Sequence, residues 1–84
     1  MPTQVPYANR IKELRSNLKL SQYDIAVLLK MNAADRVSRW ENGRVMPTIT
    51  NIIRLSEILN VKPDELYPAL FEKLRKDVEH SGCI

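Results

Sequence analysis

The sequence VSRWENG at residues 37–43 decides the fold of this chain. Val37 and Trp40 are three positions apart, so in a helix they share one face and can both be buried. Arg39 then lies on the opposite face, away from the core. The run ends at Gly43, which can take the left-handed conformation that terminates a helix. The stretch therefore predicts a short amphipathic helix that presents an arginine on its outer side.

A second short helix is predicted before this one. Ser21 is a preferred N-cap residue, and Asp24 stands three positions later, as in a capping box. Ile25, Ala26 and Leu29 then form an inner apolar face. Two short consecutive helices, the second with an exposed arginine, are the arrangement of a DNA-reading helix-turn-helix. The pattern therefore predicts a binding function.

The helix that precedes this pair is predicted over residues 7–18. Pro6 suits its start because a first helical turn leaves its N–H groups unpaired. Ile11, Leu14 and Leu18 recur at helical spacing and are expected to face the core.

The turn between the paired helices has an unusual sequence, because Lys30-Met31-Asn32 stands there without a glycine. We expect Asn32 to supply the left-handed conformation or to cap the next helix, with Asp35 three residues on in a capping role. The register of residues 30–36 stays open at this point.

Two further helices are predicted after a loop over residues 44–47. Thr48 is the expected cap of a helix that extends to about Leu59, and Pro63 belongs to the first turn of the next helix. Pro68 interrupts or restarts that helix. The residues expected to face inward in the helix after Thr48 are Ile49, Ile52, Leu55 and Leu59. A last helix over residues 69–79 carries the apolar residues Leu70, Phe71, Leu74 and Val78.

Composition excludes several classes of protein. At 84 residues and 44% hydrophobic content the chain fits one globular domain, and it has no apolar run long enough for a membrane span. Cys83 and His80 are the single residues of their types, so we expect no metal site and no disulfide. No catalytic set or phosphate-binding glycine loop is recognisable, so we expect no enzyme and no cofactor. The expected compartment is the cytoplasm, with flexible ends at residues 1–5 and 81–84.

Positive charge is concentrated in the first part of the chain. Residues 1–61 carry nine Lys or Arg and five acids, a net charge of +4, whereas residues 62–84 carry a net charge of −1. Lysine and arginine neutralise DNA phosphates, so this location suits nucleic-acid binding. Many proteins that never bind nucleic acid have a similar charge.

The chain resembles the lambda-repressor-like, XRE-type (Cro/cI) helix-turn-helix family over residues 9–67. The matching segments are Asn9–Arg15, Leu20-Ser21-Gln22, Ile25-Ala26, Val37–Gly43, Pro47 and Asn60–Leu66. The resemblance implies an all-α fold: a compact five-helix DNA-binding domain over residues 6–67 with a helical C-terminal extension over residues 68–80. The longer turn without its usual glycine departs from the family pattern.

The resemblance also implies which residues bind DNA. The helix at about residues 33–42 is expected to read the major groove, and Gln22 to touch the DNA backbone. Arg39 can donate two hydrogen bonds to guanine; the alternative is an ion pair with Asp35 within the helix. Arg15 and Glu41 are expected to form a partly buried structural ion pair. The full set of candidate DNA-binding residues is Gln22, Ala33, Ala34, Asp35, Arg36, Ser38, Arg39, Asn42 and Arg44.

The function that the resemblance implies is a sequence-specific regulator of transcription, with repression as the expected effect. The expected partners are double-stranded DNA and a second copy of the chain, with no membrane. The alternatives are an antitoxin-type protein that also binds a toxin, or an interaction module that has kept the fold for another protein partner. The apolar residues of the last helix either pack on their own domain or form a dimer surface.

Overall fold

The computed structural model describes residues 5–81, which form six helices and no strand. The helices are α1 (Ile11–Asn17), α2 (Gln22–Leu28), α3 (Asp35–Glu41), α4 (Ile49–Leu59), α5 (Pro63–Leu66) and α6 (Pro68–Ser81). None of these helices is long and apolar enough to cross a bilayer. The all-α fold class is therefore confirmed. Most of the residues predicted as flexible ends lie outside the described residues, and the domain boundaries stay a prediction.

The core is built from one or two apolar side chains of each of the first five helices. The buried apolar residues are Ile11, Ile25, Ala26, Leu29, Val37, Trp40, Leu55, Leu59, Leu66 and Tyr67. Leu14, Ile52 and Leu70 are partly buried and pack against this cluster. The predicted inner faces of α2 and α3 are thus confirmed.

Three predicted caps have different outcomes. The capping box of α2 is present, because the Ser21 hydroxyl accepts the Asp24 N–H at 2.9 Å and the Asp24 carboxylate accepts the Ser21 N–H at 2.8 Å. The Thr48 hydroxyl caps α4 by accepting the Asn51 N–H at 3.2 Å. The predicted cap at Asn32 is wrong, since α3 begins three residues later.

At α3, Ala34 is the N-cap residue and makes no side-chain capping bond. Asp35 is the first residue of the helix instead of the third, so its predicted capping role is also wrong. Its carboxylate still lies in the first turn, where the helix dipole favours negative charge.

The end of α2 explains this shift. Lys30 has a positive φ of 61°, its N–H donates to the Val27 carbonyl, and the Met31 N–H donates to the Ala26 carbonyl. This is the hydrogen-bond pattern of a Schellman cap. Lys30, not Asn32, therefore takes the left-handed position, and residues 31–34 are left to span the turn.

Two other predicted details are wrong. Helix α1 begins at Ile11 instead of Tyr7 and ends at Asn17, which leaves Leu18 exposed at the C-cap. Ile49, predicted to face inward, is 75% exposed because it lies at the first position of α4, beside a groove and outside the core. Pro68 does restart the chain as a helix, and the resulting α6 extends to Ser81.

Candidate nucleic-acid interface

Two buried side chains fix the orientation of α3. Val37 and Trp40 belong to the core, so the opposite side of the helix faces outward. Asp35 and Arg39 are exposed on that side, and Arg36 is exposed at the flank of the helix. The predicted burial of Trp40 and the predicted outer position of Arg39 are confirmed.

A buried polar network holds α3 against α1 and α2. The Arg15 guanidinium donates to both Glu41 carboxylate oxygens, at 2.6 and 3.2 Å, and to the Leu20 carbonyl at 2.9 Å. The two side chains are 12% and 3% exposed. The hydrogen bond from Arg15 to Glu41 raises the pKa of the guanidinium, so the arginine stays charged. The predicted ion pair is confirmed, and it joins the first and third helices.

Gln22 belongs to the same network, which the sequence did not indicate. Its amide Nε2 donates to the Glu41 carboxylate at 2.8 Å, and the side chain is half-buried. Gln22 is therefore not merely a solvated residue of the first turn of α2. Its amide is held beside α3, and its predicted contact with the DNA backbone stays a prediction.

The N-terminal segment also supports the C-terminal end of α3. The Asn9 amide Nδ2 donates to the Trp40 carbonyl at 2.7 Å and to the Tyr7 carbonyl at 2.8 Å, while its Oδ1 accepts the Ile11 N–H. The Tyr7 N–H donates to the Gly43 carbonyl at 3.0 Å. These bonds tie the start of α1 to the end of α3. Sequence reasoning missed Asn9 as a residue that supports α3, because its bond to the Trp40 carbonyl spans 31 positions.

The C-terminal end of α3 is closed at Gly43. This residue has a φ of 77° and is the left-handed residue that sequence analysis expected. A Cβ on Gly43 would lie 2.5 Å from the Val5 Cγ2 atom, so a side chain does not fit there without movement. The predicted helix end is therefore confirmed, and it is packed under the N-terminal segment.

Three shallow depressions surround α3, and Arg39 lines all of them. The first lies at the turn before α3, beside Lys30 and Ala33. The second lies between α2 and α3, beside Gln22 and Ser38. The third lies between α3 and the start of α4. The exposed face of α3 is therefore the centre of a continuous, open surface with Arg39 in its middle.

The structure brings most of the predicted site residues together on this surface. Those that line a depression are Gln22, Ala33, Ala34, Asp35, Arg36, Ser38 and Arg39. Ala34 is half-buried and packs on the core, so it offers less surface than Ala33. Asn42 and Arg44 are exposed but line none of the three depressions.

Sequence reasoning missed Asn32, Thr48 and Asn51 as members of this surface. Asn32 lines the first depression, and Thr48 and Asn51 line the third beside Arg36 and Arg39. Thr48 was recognised only as a cap. No local signal places the start of α4 next to α3, because that contact depends on the folded core.

The charge of this surface is positive. Lys30, Arg36 and Arg39 outnumber Asp35, and among residues 5–81 no ion pair joins Asp35 to Arg39. The alternative of an intrahelical pair is therefore not found in the described structure. An exposed arginine that is not engaged in an ion pair can donate its N–H groups to an anion or to a base edge.

Comparison with known proteins agrees with this geometry. The helix-turn-helix family matches residues 11–66. The chain is also similar to the HTH-type transcriptional regulator DicA of Escherichia coli (strain K12), with 41% identity over 54 residues. The matched part covers 64% of this chain and 39% of DicA, so the chain spans about two-fifths of that relative. Because the family match covers more than half of the sequence, this chain belongs to the XRE-type helix-turn-helix family.

Proposed function

We propose that this chain is a sequence-specific regulator of transcription that binds double-stranded DNA with α3 in the major groove and acts as a repressor. The observation that carries the proposal is the outer face of α3, where Arg39 is exposed at the centre of a positively charged surface. The family match and the regulator name of DicA support the same function. Members of such families generally act by binding and not by catalysis, and we expect no enzymatic activity.

Each part of the surface has a separate expected role. Arg39 is placed to donate two hydrogen bonds to a guanine, which would specify one base. Ser38 and Ala33 are candidates for further base contacts. Arg36 and Lys30, at the side of α3, suit phosphates, which position a protein on DNA without reading its sequence.

A short reading helix also argues for two copies on the DNA. Helix α3 has seven residues and can contact only a few base pairs. Two copies on two half-sites contact twice as many, so the proposal includes a homodimer on a near-palindromic operator. Repression would follow when the bound dimer blocks a promoter. This function places the protein in the cytoplasm with its DNA.

The test is selection of bound sites from random duplex DNA, followed by anisotropy titrations across salt. The variant is Arg39→Ala, and Arg54→Ala is its control. Arg54→Ala changes the net charge by the same amount as Arg39→Ala. Arg54 is exposed on α4 and lines none of the three depressions, so its removal leaves the α3 surface intact. We expect Arg39→Ala to lose about 1–3 kcal/mol on the selected site and to relax one base position. Arg54→Ala is expected to change the affinity less and to relax no position.

Other outcomes would change the proposal in specific ways. An equal loss for Arg39→Ala on all sequences would make Arg39 a phosphate contact. Absence of an enriched site together with absence of salt dependence would refute DNA binding, because phosphate contacts release counterions. The fold would then serve a protein partner.

A further inference from the structure

An apolar groove lies between α4 and α6, and it adjoins the third depression of the α3 surface at Met46. Its volume is about 260 Å³, and the side chains along it are apolar. Helix α4 contributes Ile49 and Ile53, and helix α6 contributes Leu70, Phe71 and Leu74. Leu70 packs on the core, but Ile49, Ile53, Phe71 and Leu74 are exposed. We name this the α4–α6 groove.

Exposed apolar residues that adjoin one another on a small domain mark an interaction site more often than isolated ones do. The groove alone does not identify the partner. The charges on α6 supply the second observation.

The charged residues in the middle of α6 fall into two groups. Glu72 forms ion pairs within the helix with Arg75 and Lys76, at 2.7 and 3.9 Å. Lys73 and Asp77 take no part in these pairs. Helical geometry places Lys73 and Asp77 one turn apart on the same side of the helix, next to Leu74. Among residues 5–81 neither has an ion-pair partner.

This arrangement is complementary to itself. If a second copy of α6 lies antiparallel across the first, a two-fold axis near residue 75 brings Lys73 next to the partner's Asp77, and Asp77 next to the partner's Lys73. Such a contact is isologous, as a two-fold dimer requires. The apolar side chains between these charges would then cover one another.

We propose that the α4–α6 groove is the dimer surface of this protein, and that it binds the α6 helix of a second copy in antiparallel orientation. The inference rests on the homodimer of the proposed function and assigns it a surface. No candidate DNA-binding residue lines the groove, so dimer formation and DNA binding can take place together.

The test is sedimentation equilibrium of charge-reversal variants at micromolar concentration. Lys73→Asp alone and Asp77→Lys alone each place like charges next to each other at both contacts. We expect each to weaken the dimer about tenfold or more. The double variant Lys73→Asp/Asp77→Lys restores both attractions and should form a dimer again. An equimolar mixture of the two single variants should form a heterodimer, although each single variant forms a dimer poorly.

The apolar part has its own matched pair of variants. Leu74→Asp should abolish the dimer, whereas Val27→Asp should leave it intact. Val27 is an equally suitable site for the charge, since both side chains are about half exposed, at 51%, and Val27 lies on α2 outside the groove. Circular dichroism confirms that each variant is folded.

The outcomes separate this inference from the proposed function. A wild-type chain that is only monomeric, or single charge reversals without effect, would overturn the inference. Binding of a DNA half-site measured on the same samples reports on α3 alone. If the dimer inference fails but half-site binding is retained, the proposed DNA-binding function still holds. If the dimer shows the expected charge pattern but no variant binds DNA, only the proposed function is overturned. A dimer that survives Leu74→Asp would also overturn the inference, because a different surface then joins the copies.

Discussion

The buried hydroxyl of Tyr67 gives a prediction about stability that follows directly from its surroundings. Tyr67 is 1% exposed in the core, and its hydroxyl has no hydrogen-bond partner among residues 5–81. A buried hydroxyl without a partner costs about 1–3 kcal/mol of desolvation free energy. Tyr67→Phe removes this group and keeps the ring. We therefore expect the free energy of unfolding to increase by about 1–2 kcal/mol at pH 7.

The same burial predicts a change of stability with pH. Burial raises the pKa of Tyr67 from its ordinary value of 10 to about 12. Between these two values the unfolded chain loses the Tyr67 proton while the folded chain keeps it, so ionisation stabilises the unfolded state. Stability present below pH 10 is then lost as the pH rises toward 12, by an amount on the order of 2–3 kcal/mol. The Phe variant lacks this contribution.

Urea unfolding at pH 7 and at pH 11 measures both effects. The control is Tyr23→Phe, because Tyr23 is exposed on α2 and its hydroxyl remains in water. We expect the control to behave as wild type at both pH values. A Tyr67→Phe variant that is less stable than wild type, or that loses as much stability at pH 11, would refute the assignment of an unpartnered hydroxyl.

Three further predictions concern the elements that hold α3. Glu41→Leu leaves the Arg15 guanidinium buried without its carboxylate and should lower the free energy of unfolding by about 3–5 kcal/mol. The double variant Arg15→Met/Glu41→Leu leaves no unpaired charge and should lower it much less. Chemical unfolding of both variants measures the difference, and equal losses would contradict the prediction. Lys30 and Lys19 both have a positive φ, so Lys30→Gly and Lys19→Gly should each raise the free energy of unfolding by about 1 kcal/mol or less. Only Lys30→Gly removes a positive charge beside α3, so only this variant should bind DNA more weakly. An equal loss of DNA affinity in both variants would contradict the placement of Lys30. Gly43→Ala should lower the thermal midpoint, because its methyl group meets the N-terminal valine in a backbone conformation that alanine disfavours; an unchanged midpoint would show that the N-terminal segment moves without cost.

Local chemistry explains which parts of the fold could be predicted from the sequence. Val37 and Trp40 set the orientation of α3 by spacing alone, and Ser21 and Thr48 cap their helices through bonds to residues three positions later. These signals act within one turn of a helix. Ile49 could not be placed in the same way, since apolar periodicity does not distinguish a side chain in the core from one in a surface groove.

The same limit applies to the candidate site. The outward position of Arg39 follows from its neighbours in the sequence. The bond from Gln22 to Glu41 spans 19 positions, and the bond from Asn9 to the Trp40 carbonyl spans 31, so neither has a local signature. Lys30 could not be predicted in the left-handed position, because lysine has no preference for it. Its positive φ belongs to the Schellman cap that closes α2.

The bonds of the N-terminal segment determine how much of this chain a working DNA reader requires. The family match begins at Ile11, yet Tyr7 and Asn9 hold the end of the reading helix from outside that span. A domain cut at the family boundary and fused to another protein would keep every residue proposed to contact bases but leave the last turn of that helix loosely anchored. Such a fusion would bind its operator with lower affinity than the longer piece. The smallest transferable reader therefore begins no later than residue 5, where Val5 lies against Gly43.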